Sequence, residues 1–132
     1  MVMMPKPDPD VLAKRDYLIA QLKDIIRNPE GVIDQEAGLR AFECDGLSAY
    51  RQLPMIAVLP ETKQEISAIL KFCAAENVNV VPRGAGTSLS GGALPLADGV
   101  LLGLGKFNKI LEVDYDNRCA VVQPGVTNLA IT

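Results

Sequence analysis

The spacing of apolar residues divides the chain into elements. Within residues 8–28, Val11, Leu18, Leu22, Ile25 and Ile26 recur at steps of three, four or seven, which predicts a helix with one apolar stripe. Asp8 and Asp10 offer capping oxygens before it. Asn28-Pro29-Glu30-Gly31 ends it, because proline has no N–H to continue the ladder. Residues 32–53 lose the period, with short helical turns expected within 36–42. The apolar run after Pro54 is closed by Pro60 and predicts a buried strand of about five residues. Thr62 and Glu65 form a capping box. Ile66, Ile69, Leu70 and Cys73 then make one stripe, so residues 62–76 are a predicted helix facing a sheet. Asn77 stops it. Residues 78–81 and 99–104 read as further strands. Residues 110–114 and 118–123 read as a hairpin across Tyr115-Asp116-Asn117, which has turn chemistry.

Strand, helix, strand in that order implies a parallel β-α-β crossover. The expected fold class is therefore α+β: short parallel strands with a crossover helix, a β-hairpin, and a helix in front. Residues 1–50 read as a helix and irregular lead-in, and residues 51–132 as the main domain. Thr127 looks like the cap of a last helix with only about one turn behind it, too short to be stable alone. The chain is accordingly expected to be the N-terminal fragment of a larger fold.

Composition narrows the functions. The 132 residues are 48% hydrophobic and 22% charged, enough for one core. A net charge of −3 with scattered basic residues and few aromatics gives no footprint for nucleic acid. No apolar run approaches the roughly 20 residues of a membrane span. The start, MVMMPKPDPD, lacks the apolar core of a signal peptide. Cys44, Cys73 and Cys119 are far apart and histidine is absent. No disulfide framework, zinc site or other metal site is expected, and the cysteines read as small core residues of a protein in a reducing cytosol.

The chemistry concentrates in PRGAGTSLSGG, residues 82–92. A GxGxxG fingerprint would need glycine where Leu89 stands, and a P-loop would need lysine where Gly92 stands. The argument for an anion survives both failures. Gly84, Gly86, Gly91 and Gly92 allow backbone N–H groups to converge without Cβ clashes. Thr87, Ser88 and Ser90 add hydroxyls. Arg83 is the only charge from Asn77 to Ala97. On these grounds the loop is either an anion cradle or a glycine-rich turn between strands.

The stretches FECDGLSAYRQLP, AVLPETKQEISAILKFC, VVPRGAGTSLSGGA and ILEVDYDNRCAVVQPGV together resemble the FAD-linked oxidases of the vanillyl-alcohol oxidase (PCMH-type) superfamily. ECDGLSAYR points to the branch that holds glycolate oxidase, a relative of D-lactate dehydrogenases. The resemblance implies a flavin domain of two α+β subdomains with FAD between them, of which this chain is the first. Backbone N–H groups of Gly84, Ala85, Gly86, Thr87 and Ser88, helped by Gly91, would hold the FAD pyrophosphate. Val81, Pro82 and Arg83 would lie at its approach. Pro124, Gly125 and Val126 would reach the flavin from the other side. Thr87 stands where covalent relatives carry a histidine, so non-covalent FAD is implied.

The implied activity is oxidation of a D-2-hydroxy acid, glycolate or D-lactate, to the 2-oxo acid, with hydride passing to FAD. The implied partners are companion oxidase subunits, one an iron–sulfur protein. The implied location is the cytoplasm, peripheral to the inner membrane through those partners. The family's second flavin subdomain, substrate domain and catalytic histidines have no counterpart here, so no catalytic residue is assigned and the chain alone is not expected to turn over substrate. The alternative class is a non-catalytic anion- or nucleotide-binding module, or an inactive truncated product. Asp45, Tyr50 and Arg51 either meet the flavin edge or a partner domain, or form a salt-bridged surface turn. Glu112, Asp114 and Asp116 read as the exposed face and turn of the hairpin, and Lys106 and Lys109 as too few for a phosphate patch.

Overall fold

A computed structural model describes residues 3–132. The first helical stretch is in two pieces, α1 (Pro9–Ala13) and α2 (Arg15–Ile25). Asp8 caps α1 by accepting from the Asp10 N–H at 2.9 Å. The division falls at Lys14, whose N–H bonds to the Val11 carbonyl three residues back at 3.1 Å, a tighter turn than the α ladder uses. Val11, Leu18, Ile19, Leu22 and Ile26 are buried.

A short strand that the pattern does not announce follows, β1 (Val32–Ile33), running antiparallel to its neighbour. The expected helical turns are α3 (Glu36–Leu39) and a 3-10 turn at Arg40–Phe42. The proline-bracketed run supplies β2 (Ile56–Val58), three residues rather than five. Helix α4 (Lys63–Ala75) begins with the complete capping box. It ends in a Schellman motif: Val78 N–H bonds to the Cys73 carbonyl at 2.8 Å and Asn77 N–H to that of Ala74 at 3.3 Å. Asn77 takes the left-handed conformation this requires, with φ of 58°.

Strands β3 (Val80–Arg83) and β4 (Val100–Gly103) complete a sheet of order β1-β2-β4-β3, with β2 and β3 both parallel to β4. The crossover through α4 therefore skips one position, and the later strand β4 fills it. Ile56, Ala57, Val58, Val100 and Leu101 are fully buried, as parallel strands covered on both faces should be. Their alternation divides the core. Ile56, Val58, Val100 and Leu102 pack with α1, α2 and α4, while Ala57 and Leu101 pack with Leu39, Ile33, Phe42 and Leu53. The lead-in thus supplies cover on both faces of the sheet.

The hairpin is β5 (Ile110–Asp114) and β6 (Cys119–Val122), followed by α5 (Asn128–Ile131). Leu111, Val113, Val121 and Leu129 are exposed on these elements. At the turn, the Asp114 carboxylate accepts from the Asn117 side-chain amide at 2.7 Å and its N–H at 2.9 Å. These bonds hold its pKa below the usual value. Among the described residues, no helix is long and apolar enough to cross a membrane.

Two further expectations are corrected. Leu70, read as part of the α4 stripe, is 45% exposed. Cys73 is the core cysteine, its thiol pushed up to about 11 by burial; Cys44 is half-buried and Cys119 exposed. Glu65 does more than close a capping box. Its buried carboxylate accepts from the N–H groups of Arg27 at 3.1 Å, Glu61 at 2.8 Å and Thr62 at 3.0 Å, joining the end of α2 to the start of α4. Burial alone would raise its pKa, but these donors outweigh that effect and hold it below the ordinary value.

Candidate functional site

The parallel strands β3 and β4 deliver their carboxyl ends to one place. There, Leu59, Arg83, Gly84, Gly103, Gly105 and Lys106, with Phe42 and Asn108, line a cleft of about 460 Å³. In open parallel sheets this is the end at which ligands bind. Among the described residues, Arg83 and Lys106 line it and no carboxylate does. Of these residues the sequence points to Arg83 and Gly84. Lys106 reads there as one of two stray charges; its place just after β4 is the signal that would single it out.

The glycine-rich loop leaves the end of β3 beside this cleft. Pro82 is tolerated because β3 is an edge strand. Asn79 and Arg83 offer their carbonyls to β4, so the alternation of the strand turns the Pro82 nitrogen outward. Val81 precedes it in the strand, half-buried. Gly86 and Gly91 adopt φ of 72° and 77°, conformations natural to glycine. Gly84 has open space where a Cβ would stand. Among the described residues, the backbone N–H groups of Gly84, Ala85, Gly86, Thr87, Ser88, Leu89 and Gly91 find no acceptor in the chain. The Ser88 hydroxyl oxygen accepts from Gly92 N–H at 3.1 Å and closes the far end. A run of unpaired donors at a surface is an anion-binding arrangement.

Arg83 is not aimed solely at the cleft. Its Nη1 donates to the carbonyls of Phe42 at 3.2 Å and Ala93 at 3.4 Å, and its guanidinium lies 5.7 Å from the centre of the Phe42 ring. A Cβ on Gly86 would lie 2.7 Å from Arg83 Nε. The lead-in also reaches the loop. Asp45 is buried and accepts from Leu47 N–H at 2.9 Å and Ala93 N–H at 3.3 Å. It is therefore not in a salt-bridged surface turn. Arg51 is in an exposed one, paired with Glu43 at 2.9 Å. Tyr50 is half-buried.

Pro124, Gly125 and Val126 stand behind the opposite wall rather than lining the cleft. Gly125 N–H bonds to the Phe107 carbonyl at 2.7 Å, and a Cβ on Gly125 would lie 2.7 Å from that oxygen and 2.8 Å from that of Leu104. Val126 N–H turns back to the Gln123 carbonyl at 3.1 Å. The segment thus holds the turn that carries Gly105 and Lys106. Gly125→Ala is expected to destabilise the fold by about 1–2 kcal/mol, because rigid backbone on both sides must yield; urea denaturation checks this.

The FAD binding domain family matches residues 54–132. The chain belongs to the FAD binding domain family. It is 46% identical over 124 residues to glycolate oxidase subunit GlcD of Escherichia coli K12, covering 94% of this chain and 24% of that protein. It is 47% identical over 72 residues to a D-lactate dehydrogenase of Archaeoglobus fulgidus, covering 54% of this chain and 16% of that one. A solved structure of 4-ethylphenol oxidase from Gulosibacter chungangensis superposes with a TM-score of 0.79 at 22% identity, covering 98% of this chain and 25% of that one. The chain thus spans about a quarter of the length of the glycolate oxidase relatives it matches. Its fold is the mixed α/β architecture of PCMH-type FAD-binding domains, with parallel sheet and hairpin as expected. FAD is the cofactor of this family. The residues present fit a pyrophosphate: the donors of residues 84–89 are unpaired, the Gly84 side is open, and the flanking charges are cationic.

Proposed function

We propose that this chain is the cofactor-cradling part of a flavin-dependent oxidoreductase that converts a D-2-hydroxy acid, glycolate or D-lactate, to the 2-oxo acid. The observation that carries the reading is the row of unpaired N–H groups on residues 84–89, at the carboxyl end of parallel strands and beside Arg83 and Lys106. Bound FAD would supply the hydride acceptor.

The chain's own residues bind and orient. The N–H groups of Gly84, Ala85, Gly86, Thr87 and Ser88 receive the pyrophosphate, and Gly91 lets the loop turn back. Val81, Pro82 and Arg83 aim the loop from the strand. Pro124, Gly125 and Val126 hold the opposing turn. Thr87 offers no imidazole for a flavin bond, so the cofactor is held non-covalently. The base for the hydroxyl proton belongs to the remainder of a longer protein. The names of the relatives support the substrate class. The word subunit in one of those names supports companion chains, among which we place an iron–sulfur protein.

Titrating FAD into the purified chain tests this reading. Equimolar binding is expected, released by acid precipitation. FAD at about 100 times its dissociation constant should stabilise the fold by about 2.7 kcal/mol, visible as a raised melting temperature. A folded chain whose melt ignores FAD overturns the proposal. Equal response to FAD and to inorganic pyrophosphate would favour a general anion-binding module instead.

A further inference from the structure

We propose that Asp45 and Arg83 form a two-sided clamp on the backbone of Ala93 that fixes the glycine loop in the shape that leaves its donors unpaired, which makes both of them positioning residues for the cofactor. The proposal rests on the reading of residues 84–92 as the FAD cradle.

Residues 83 and 93 bracket the loop. Both polar groups of buried Ala93 are held by side chains of opposite charge: its N–H donates to Asp45 Oδ2 at 3.3 Å, and its carbonyl accepts from Arg83 Nη1 at 3.4 Å. The two charges thus face each other across one residue's backbone, the carboxylate at its N–H and the guanidinium at its carbonyl. Each is also tied to the lead-in, Asp45 through Leu47 N–H at 2.9 Å and Arg83 through the Phe42 carbonyl at 3.2 Å.

Between these ties, Gly46 lies flat against the loop. A Cβ there would sit 2.8 Å from the carbonyl oxygens of both Thr87 and Ser88. The lead-in backbone thus packs directly on the Thr87 and Ser88 carbonyls. The N–H groups of Ser88 and Leu89 find no acceptor there or elsewhere among the described residues. A buried carboxylate behind a pyrophosphate is electrostatically unfavourable for the ligand. Its presence is accounted for by what it does to the loop.

That sign separates the proposal from a simple charge effect. Removing a neighbouring negative charge should strengthen binding of an anionic ligand; loss of the clamp should weaken it. Asp45→Asn, whose amide can accept only one of the two N–H groups, is expected to weaken FAD binding about tenfold in the purified chain. Arg83→Lys keeps the charge and loses the planar guanidinium, whose Nη1 bridges the two carbonyls and whose plane lies over the Phe42 ring, and should weaken it to a similar degree. The double variant should be little worse than either single, because both act on one residue's backbone.

Amide hydrogen exchange read by NMR is the second measurement. Ala93 N–H should be protected in the native chain and lose protection in both variants, although Arg83 does not touch that group. Unchanged Ala93 protection in Arg83→Lys, or tighter FAD binding by Asp45→Asn, overturns the clamp. If the native chain ignores FAD, the cradle reading falls, and the exchange result still decides whether the clamp exists.

Discussion

Gly86→Ala is expected to weaken FAD binding about 100-fold and to cost the fold about 2 kcal/mol. Two effects add. At φ of 72° an alanine is strained, a cost of about 1 kcal/mol. The new methyl would also collide with the guanidinium of Arg83. A long side chain normally yields cheaply, but this one is held by the carbonyls of Phe42 and Ala93 and by the Phe42 ring. Either Arg83 withdraws and those contacts are lost, or the loop lifts and its donors no longer converge. Gly84→Ala is the matched control. Nothing lies within 4 Å of a Cβ at Gly84, so its melt should equal the native one while FAD binding falls, because the methyl enters the cleft. Isothermal titration with FAD and thermal melts of both variants check the pair. Native-like FAD affinity in Gly86→Ala would contradict the role given to the loop.

Glu65→Ala should be the most destabilising single change outside the apolar core, about 3 kcal/mol by urea denaturation. It leaves the N–H groups of Arg27, Glu61 and Thr62 without the acceptor they share, and bonds to a charged acceptor are worth about 1.5–3 kcal/mol. The same residue sets an acid limb. Its pKa in the fold lies below the usual carboxylate value. Its stabilisation is therefore complete above the unfolded pKa of about 4.3 and is lost as pH falls through the lower folded value. Glu65→Gln should flatten that limb while native stability at neutral pH drops by less than in the alanine variant. An unchanged acid limb in Glu65→Gln would assign it to other carboxylates.

What can be read from the sequence is what is local. The capping box at Thr62 and Glu65, the stop at Asn77 and the hairpin turn at residues 115–117 each lie within a few residues of what they specify, and each is present. Strand β1 escapes because two residues carry no alternation; only its pairing with β2 defines it. The place of β4 between β2 and β3 escapes because order within a sheet is not a local property. The same divide runs through the site. Glycines and an isolated arginine mark the loop from composition alone. Asp45 is marked only by the resemblance, as meeting the flavin edge or a partner domain, and Gly46 not at all, because they stand some forty residues upstream and meet Ala93, Thr87 and Ser88 only in the folded chain.

The position of β4 also fixes the order in which the cradle can be built. Strands β2 and β3 share no hydrogen bonds and are joined only through a strand that comes later in the chain. As the polypeptide leaves the ribosome, every residue of the glycine loop emerges before Val100–Gly103 can thread into the gap. Until then β3 hangs unpaired, and the cleft wall formed by Gly103, Gly105 and Lys106 does not exist. Closing such long-range parallel contacts is slow. On the proposed reading, FAD capture cannot precede β4: a nascent chain stalled ahead of Gly103 carries the whole loop and lacks the wall that faces it.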